Sequence, residues 1–154
     1  MKKNSFIGKV FITNSSGETR ELGQDFAKTL RNKDVVCLYG ILGSGKTTFV
    51  QGLAQGLGIK NRIISPTFVI VRNYRIKRND SKVKNFYHID LYRMENEKDI
   101  GSLGIEEIIN GKNSVAVIEW AEKLKKRCLG KGIGIEFFYG KNDTRKIVFR
   151  SLNQ

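Results

Sequence analysis

Residues 34–58, DVVCLYGILGSGKTTFVQGLAQGLG, leave this chain fewer choices than any other stretch. Val35 to Tyr39 run without the polar alternation of a half-exposed strand, so the pattern predicts a strand covered on both faces, of the parallel kind. The period then changes. Phe49, Val50, Leu53, Ala54 and Leu57 fall on one helical face, and Gly58 supplies a stop. Between the two elements, Gly40 to Thr47 reads GILGSGKT, a complete match to G-x-x-x-x-G-K-[ST]. So short a pattern occurs by chance, but one that follows a buried strand and opens an amphipathic helix has the context its chemistry requires. Gly40, Gly43 and Gly45 permit backbone conformations denied to larger residues. The loop amides, with those of Ser44 and Thr48 around the helix start, can then face phosphate oxygens. Lys46 is placed to reach the β and γ phosphates, and Thr47 to offer a hydroxyl to magnesium. The guanine-reading N-K-x-D pattern and a D-x-x-G switch are absent, which favours ATP.

The rest of the chain predicts an α/β fold with a mixed, mainly parallel sheet flanked by helices and carrying a β-hairpin insertion, as one P-loop domain over residues 1–154. KVFITN reads as a first strand, with Val10 and Ile12 on one face and Phe11 on the other. Leu22, Phe26 and Leu30 share a helix face, with Ser15 or Ser16 as its cap. Two extended, aromatic-rich runs, SPTFVIVRNYRI and KVKNFYHIDLYR, form an antiparallel pair around a polar turn. IGSLGIEEIING reads as one short helix, SVAVIEW as a second buried strand and AEKLKKRC as a polar helix. A hairpin through GKND ends the chain.

A phosphate-binding loop needs a carboxylate near its magnesium, and strands deliver side chains to the carboxyl end of an α/β sheet. Glu119 emerges at the end of the apolar VAVI run. Buried and unpaired it would be costly, a cost that magnesium relieves; reaching bulk solvent is the plainer alternative. Asp90 is the second candidate, since His88, Asp90 and Tyr92 alternate onto one face of their strand. It is expected near the γ phosphate, orienting water or holding magnesium through water. His88 is either a base near neutral pH or a structural histidine, and Arg93 a partner for phosphate or for an acid. In SPTF, Thr67 offers a hydroxyl that could close on the magnesium or the γ phosphate. Trp120, the only tryptophan, is either core or a wall beside Glu119; if the strand continues through both, they point to opposite sides.

The chain has 28 Lys and Arg against 15 Asp and Glu, a net charge of +13. Such a field attracts nucleotide, nucleic acid or an acidic protein face. Six basic residues and one acid lie between Arg72 and Lys84, and five basic residues with no acid between Lys123 and Lys131. No run is long enough to span a membrane, no signal peptide is apparent, and a cytoplasmic protein is expected. Cys37 reads as a buried hydrophobe. Neither it nor Cys128 has metal-ligand spacing, so no structural zinc is expected.

Taken in order, GILGSGKTTFVQGLAQGLG, ISPTFVIVRNY, FYHIDLYR, LGIEE and VIEWAEKL cover most of the chain. Their sequence resembles the TsaE (YjeE) family, the ATPase subunit of bacterial tRNA threonylcarbamoyladenosine biosynthesis. The resemblance implies a weak, magnesium-dependent ATPase that acts with a TsaD-like threonylcarbamoyl transferase and its TsaB-like paralogue on adenosine 37 of tRNA. Contact with tRNA would then come either directly, through the two basic stretches, or through that complex. It assigns Lys46 and Thr47 to phosphate and magnesium, with Thr48 completing the pair. Thr67 becomes a switch-like threonine, Asp90 the essential acid and Glu119 the magnesium-side acid with Trp120 its companion. Ile41 departs from the family, which commonly has an acid there. Two other readings of the same loop are a small-molecule kinase and a non-catalytic ATP-controlled binding module.

Overall fold

Strand β2 (Val35–Tyr39) is the axis of the molecule: four of its five residues are buried, and it pairs in parallel with β5 (Ser114–Glu119) on one side and β6 (Gly132–Tyr139) on the other. The computed structural model describes residues 5–64, 69–79, 81–125 and 132–152. Adding β1 (Val10–Thr13), β3 (Val71–Arg75), β4 (Asn85–Asp90) and β7 (Arg145–Ser151) gives a seven-stranded sheet in the order β1-β7-β6-β2-β5-β4-β3. The middle strands β6, β2, β5 and β4 run parallel; β7 and β3 run against them at the two sides, and β1, antiparallel to β7, runs in the direction of the centre again. This matches the expected mixed α/β fold. β3 and β4 are the predicted antiparallel pair, with only β3 reversed against the parallel centre.

Helices α1 (Ser16–Ala27) and α2 (Lys46–Gly56) cover one face of the sheet. Ser15 caps α1 by accepting the Glu18 amide at 3.1 Å. Phe26 and Phe49 meet Phe149 of β7 with ring centroids 5.2 and 6.1 Å apart. The two helices touch through backbone. A Cβ on Gly52 would lie 1.9 Å from the Arg20 carbonyl oxygen, and one on Gly23 would lie 2.3 Å from that of Phe49. The helix that begins at the phosphate-binding loop is thereby locked to α1. Leu30, expected on the α1 face, lies beyond the helix end but still packs against this core.

The opposite face is covered by α3 (Glu97–Gly101), α4 (Ile105–Asn110) and a 3₁₀ turn, Ala121–Leu124. The single helix predicted here is broken in two because Gly104, at φ 69°, sits in the left-handed region. The polar helix expected from AEKLKKRC starts as the 3₁₀ turn instead; its residues 126–128, Cys128 among them, lie outside the described residues. In β1 the buried face belongs to Phe11 and Thr13. Phe11 stacks near Phe6 and Phe149, Thr13 bonds Thr19 at 2.7 Å, and Val10 and Ile12 are exposed.

Candidate functional site

The register of the central strands brings the predicted residues together. Leu38, just before the loop, pairs with Glu119, and Glu119 pairs with Asp90 on its other side. Both carboxylates therefore arrive at the end of the sheet where Gly40 to Thr47 turn into α2. The loop is close-packed. Gly40 has φ 146°, and a Cβ there would stand 2.7 Å from the Phe137 carbonyl oxygen and from Ser44 Oγ. Ser44 is fully buried, and its hydroxyl has no partner among the described residues. Ile41 and Leu42 are exposed at the tip, so the departure at Ile41 faces solvent and leaves the glycines undisturbed.

Lys46 folds back over the loop, donating to the carbonyls of Gly40 and of Ile41, the latter at 2.9 Å. Burial pushes its ammonium below the usual lysine value, while the carboxylates of Glu119, Glu122 and Asp90 push the other way. Thr47 Oγ1 donates to Glu119 Oε1 at 2.9 Å. The second oxygen of Glu119 lies 2.6 Å from His88 Nε2, and both side chains are buried. Glu119 thus does not reach bulk solvent; its two oxygens are held by the loop threonine and by a histidine from β4. His88 is a buried partner of the acid, with its Nδ1 unpaired among the described residues. Asp90 Oδ1 accepts the Tyr92 amide at 3.0 Å. That bond belongs to a turn, because β4 ends at Asp90 and Tyr92 is not part of the strand face.

Trp120 corrects the alternation argument. β5 stops at Glu119, and Trp120 takes the left-handed conformation at φ 58° and ψ 42°. The reversal carries its ring to the side Glu119 occupies. The ring centroid lies 4.3 Å from Lys46 Nζ and 5.1 Å from the Tyr92 ring, a cation–π stack beside the loop. Acid and tryptophan therefore share one pocket, lined by Gly43, Gly45, Lys46, Thr47, Thr48, Asp90, Glu119 and Trp120. Arg93 is exposed and outside that lining. Thr67 lies outside the described residues.

Three further residues line the pocket: Leu42, Tyr92 and Arg145. Arg145 opens β7, and the only available signal for it was topological. If β6 runs parallel to β2, its end and the start of the returning strand lie at the loop. Among the described residues, no cluster of three or more His, Cys, Asp or Glu side chains is disposed to hold a metal ion. The chemistry of the donors nonetheless fits magnesium, which keeps most of its waters and takes few protein ligands alongside phosphate. No helix among the described residues is long and apolar enough to cross a membrane.

Known proteins resemble this chain over most of its length. The family model described as "Threonylcarbamoyl adenosine biosynthesis protein TsaE" matches residues 13–147. The chain is similar to the "tRNA threonylcarbamoyladenosine biosynthesis protein TsaE" of Bacillus subtilis, at 37% identity over 88% of this chain and 80% of that protein. The protein of the same name from Nostoc is 34% identical over 94% of this chain and 86% of its own length. The fold is similar to a crystal structure of Bacillus subtilis YdiB, with a TM-score of 0.76 and 31% identity over 94% of this chain and 85% of that one. With most of its length matched, the chain belongs to the TsaE family.

Proposed function

We propose that the chain is a magnesium-dependent ATPase subunit of threonylcarbamoyladenosine biosynthesis, weak alone and coupled to a TsaD-like transferase and a TsaB-like paralogue that modify adenosine 37 of tRNA. It would act in the cytoplasm as one ATPase unit, meeting tRNA through that complex. The observation that carries the reading is the hydrogen-bonded chain Thr47–Glu119–His88, with its acid and histidine buried, beside Lys46. A loop that only turned the backbone would not need a carboxylate fixed on its threonine hydroxyl. Bound magnesium supplies positive charge against the phosphate oxygens. Thr47 would ligate it directly, and Glu119, already bonded to that hydroxyl, would accept from the metal's waters. His88 holds the second oxygen of Glu119 and fixes the orientation of the carboxylate. Lys46, freed from the carbonyls of Gly40 and Ile41, exchanges those acceptors for phosphate oxygens, and its ammonium gains a partner that opposes the burial cost. Asp90, which lines the same pocket, is the residue to orient the attacking water. Thr67 precedes the β3–β4 pair in sequence and is proposed as the element that closes on the γ phosphate.

The experiment is phosphate release and tRNA modification by wild type, Lys46→Ala and Glu119→Ala, each with and without the two partner subunits. Loss of multi-turnover modification in both variants is expected. Unchanged modification by Lys46→Ala refutes the nucleotide role. A phosphorylated small molecule in place of free phosphate identifies a kinase, and nucleotide-dependent assembly without phosphate release identifies a binding module.

A further inference from the structure

Arg145 is a buried guanidinium that the ATPase reading leaves without a task. It is 7% exposed. Its Nη1 donates to the Asp143 carbonyl at 3.1 Å, and its Nη2 lies in an ion pair 3.1 Å from Asp143 Oδ1. Its Nε is buried with no partner among the described residues. The hairpin places it: Asn142 and Asp143, at φ 55° and 61°, form the tight turn that starts β7 beside the loop. The Tyr139 ring lies 5.6 Å from the guanidinium carbon. The stem lies against the loop itself, since a Cβ on Gly45 would stand 2.8 Å from Arg145 Cδ and Nε.

A guanidinium remains charged at any physiological pH, and a buried donor without an acceptor carries a desolvation cost. An acceptor that this Nε could meet belongs in the pocket it lines. Strand order fixes which side it works from. β7 lies beyond β6 on one side of β2, whereas β5 and β4, with Glu119 and Asp90, lie on the other. Anything held by the loop is flanked by the acids on one side and by Arg145 on the opposite one.

We infer that Arg145 is a nucleotide-binding residue that donates from Nε to the polyphosphate on the Gly45 side of the loop, away from Glu119 and Asp90. The inference rests on the ATP reading above. Because the acids mark the side of the metal and terminal phosphate, Arg145 grips phosphates that ADP and ATP share. It sets affinity for both and does not discriminate between them.

Calorimetric titration of ADP and ATP with magnesium into wild type, Arg145→Met, Arg145→Lys and Lys46→Ala tests this. Arg145→Met keeps much of the side-chain volume and is expected to weaken ADP and ATP alike by about tenfold or more. Arg145→Lys keeps the charge but loses the Nε donor, and is expected to weaken both several-fold. Undiminished ADP affinity in either variant overturns the inference, as does a loss confined to ATP. Should Arg145→Met fail to give the wild-type near-ultraviolet dichroism, Arg145→Lys decides alone. Wild type that binds neither nucleotide refutes the ATP reading itself and this inference with it. Wild-type binding lost in Lys46→Ala but kept in Arg145→Met refutes this inference only.

Discussion

Replacing Gly52 by alanine sets two effects of opposite sign against each other. In a helix interior alanine is favoured over glycine by about 1 kcal/mol, so propensity alone predicts a more stable protein. The packing predicts the reverse. The new methyl would sit 1.9 Å from the carbonyl oxygen of Arg20, 2.6 Å from its carbonyl carbon and 2.8 Å from its Cα. All three atoms belong to the backbone of α1, so no side chain can swing away. Relief requires α1 and α2 to part by about 1 Å, and a gap of that size forfeits a quarter to a half of the dispersion well for the atoms facing it. Overpacking costs about 1–3 kcal/mol even where side chains can adjust. A clash with backbone belongs at or above the upper end. The net expectation is a loss of about 2 kcal/mol, seen as a lower urea midpoint at unchanged slope and a Tm lower by about 4–8 °C. Gly17→Ala is the control: its Cβ would meet only Ser15 Oγ, at 3.6 Å, and it is expected to be neutral or slightly stabilising. Gly52→Ala melting at or above wild type would refute the claim that glycine is present to let the helices touch.

Two other expectations follow from buried polar groups. His88→Phe leaves Glu119 Oε2 buried without its 2.6 Å partner, and is expected to cost about 2 kcal/mol or more in urea unfolding. The double variant with Glu119→Gln should cost less than the sum of the two single changes, and strict additivity would count against a coupled pair. Burial, reinforced by the Cys37 thiol and opposed by the Arg150 guanidinium, pushes the Tyr39 phenol up to about 12. A phenol raised in the folded state contributes stability that is present below about pH 10 and lost as pH rises through about 12. Wild type should therefore lose more stability between pH 9 and pH 11 than Tyr39→Phe, and equal losses would remove the assigned burial effect.

The parts of the fold written in local sequence were legible in it. Val35 to Thr47 specify strand, loop and helix start through contiguous residues, and Phe49, Val50 and Leu53 sit in the core where their spacing put them. Glu119 was readable for the same reason: an apolar run ending in an acid has a direction. Local pattern failed where a backbone reversal or a distant partner decides. Alternation turns Trp120 away from Glu119 only if the strand continues through both, and it ends at the residue where φ changes sign. β1 has apolar residues on both faces, and only the aromatic cluster of Phe6 and Phe149 selects Phe11 as the one that faces inward, half-buried. Arg145 becomes a site residue only through the parallel pairing of β6 with β2, which brings together parts of the chain about a hundred residues apart.

The reversal at Trp120 has a practical consequence. The chain contains one tryptophan, and its indole stacks on the ammonium that serves the phosphate loop. The protein therefore carries a native fluorophore in the wall of its pocket, with no second indole to dilute the signal. Any ligand that draws Lys46 away from the ring changes the emission directly, so occupancy can be followed on the unlabelled protein, alone or within a larger assembly of tryptophan-free partners.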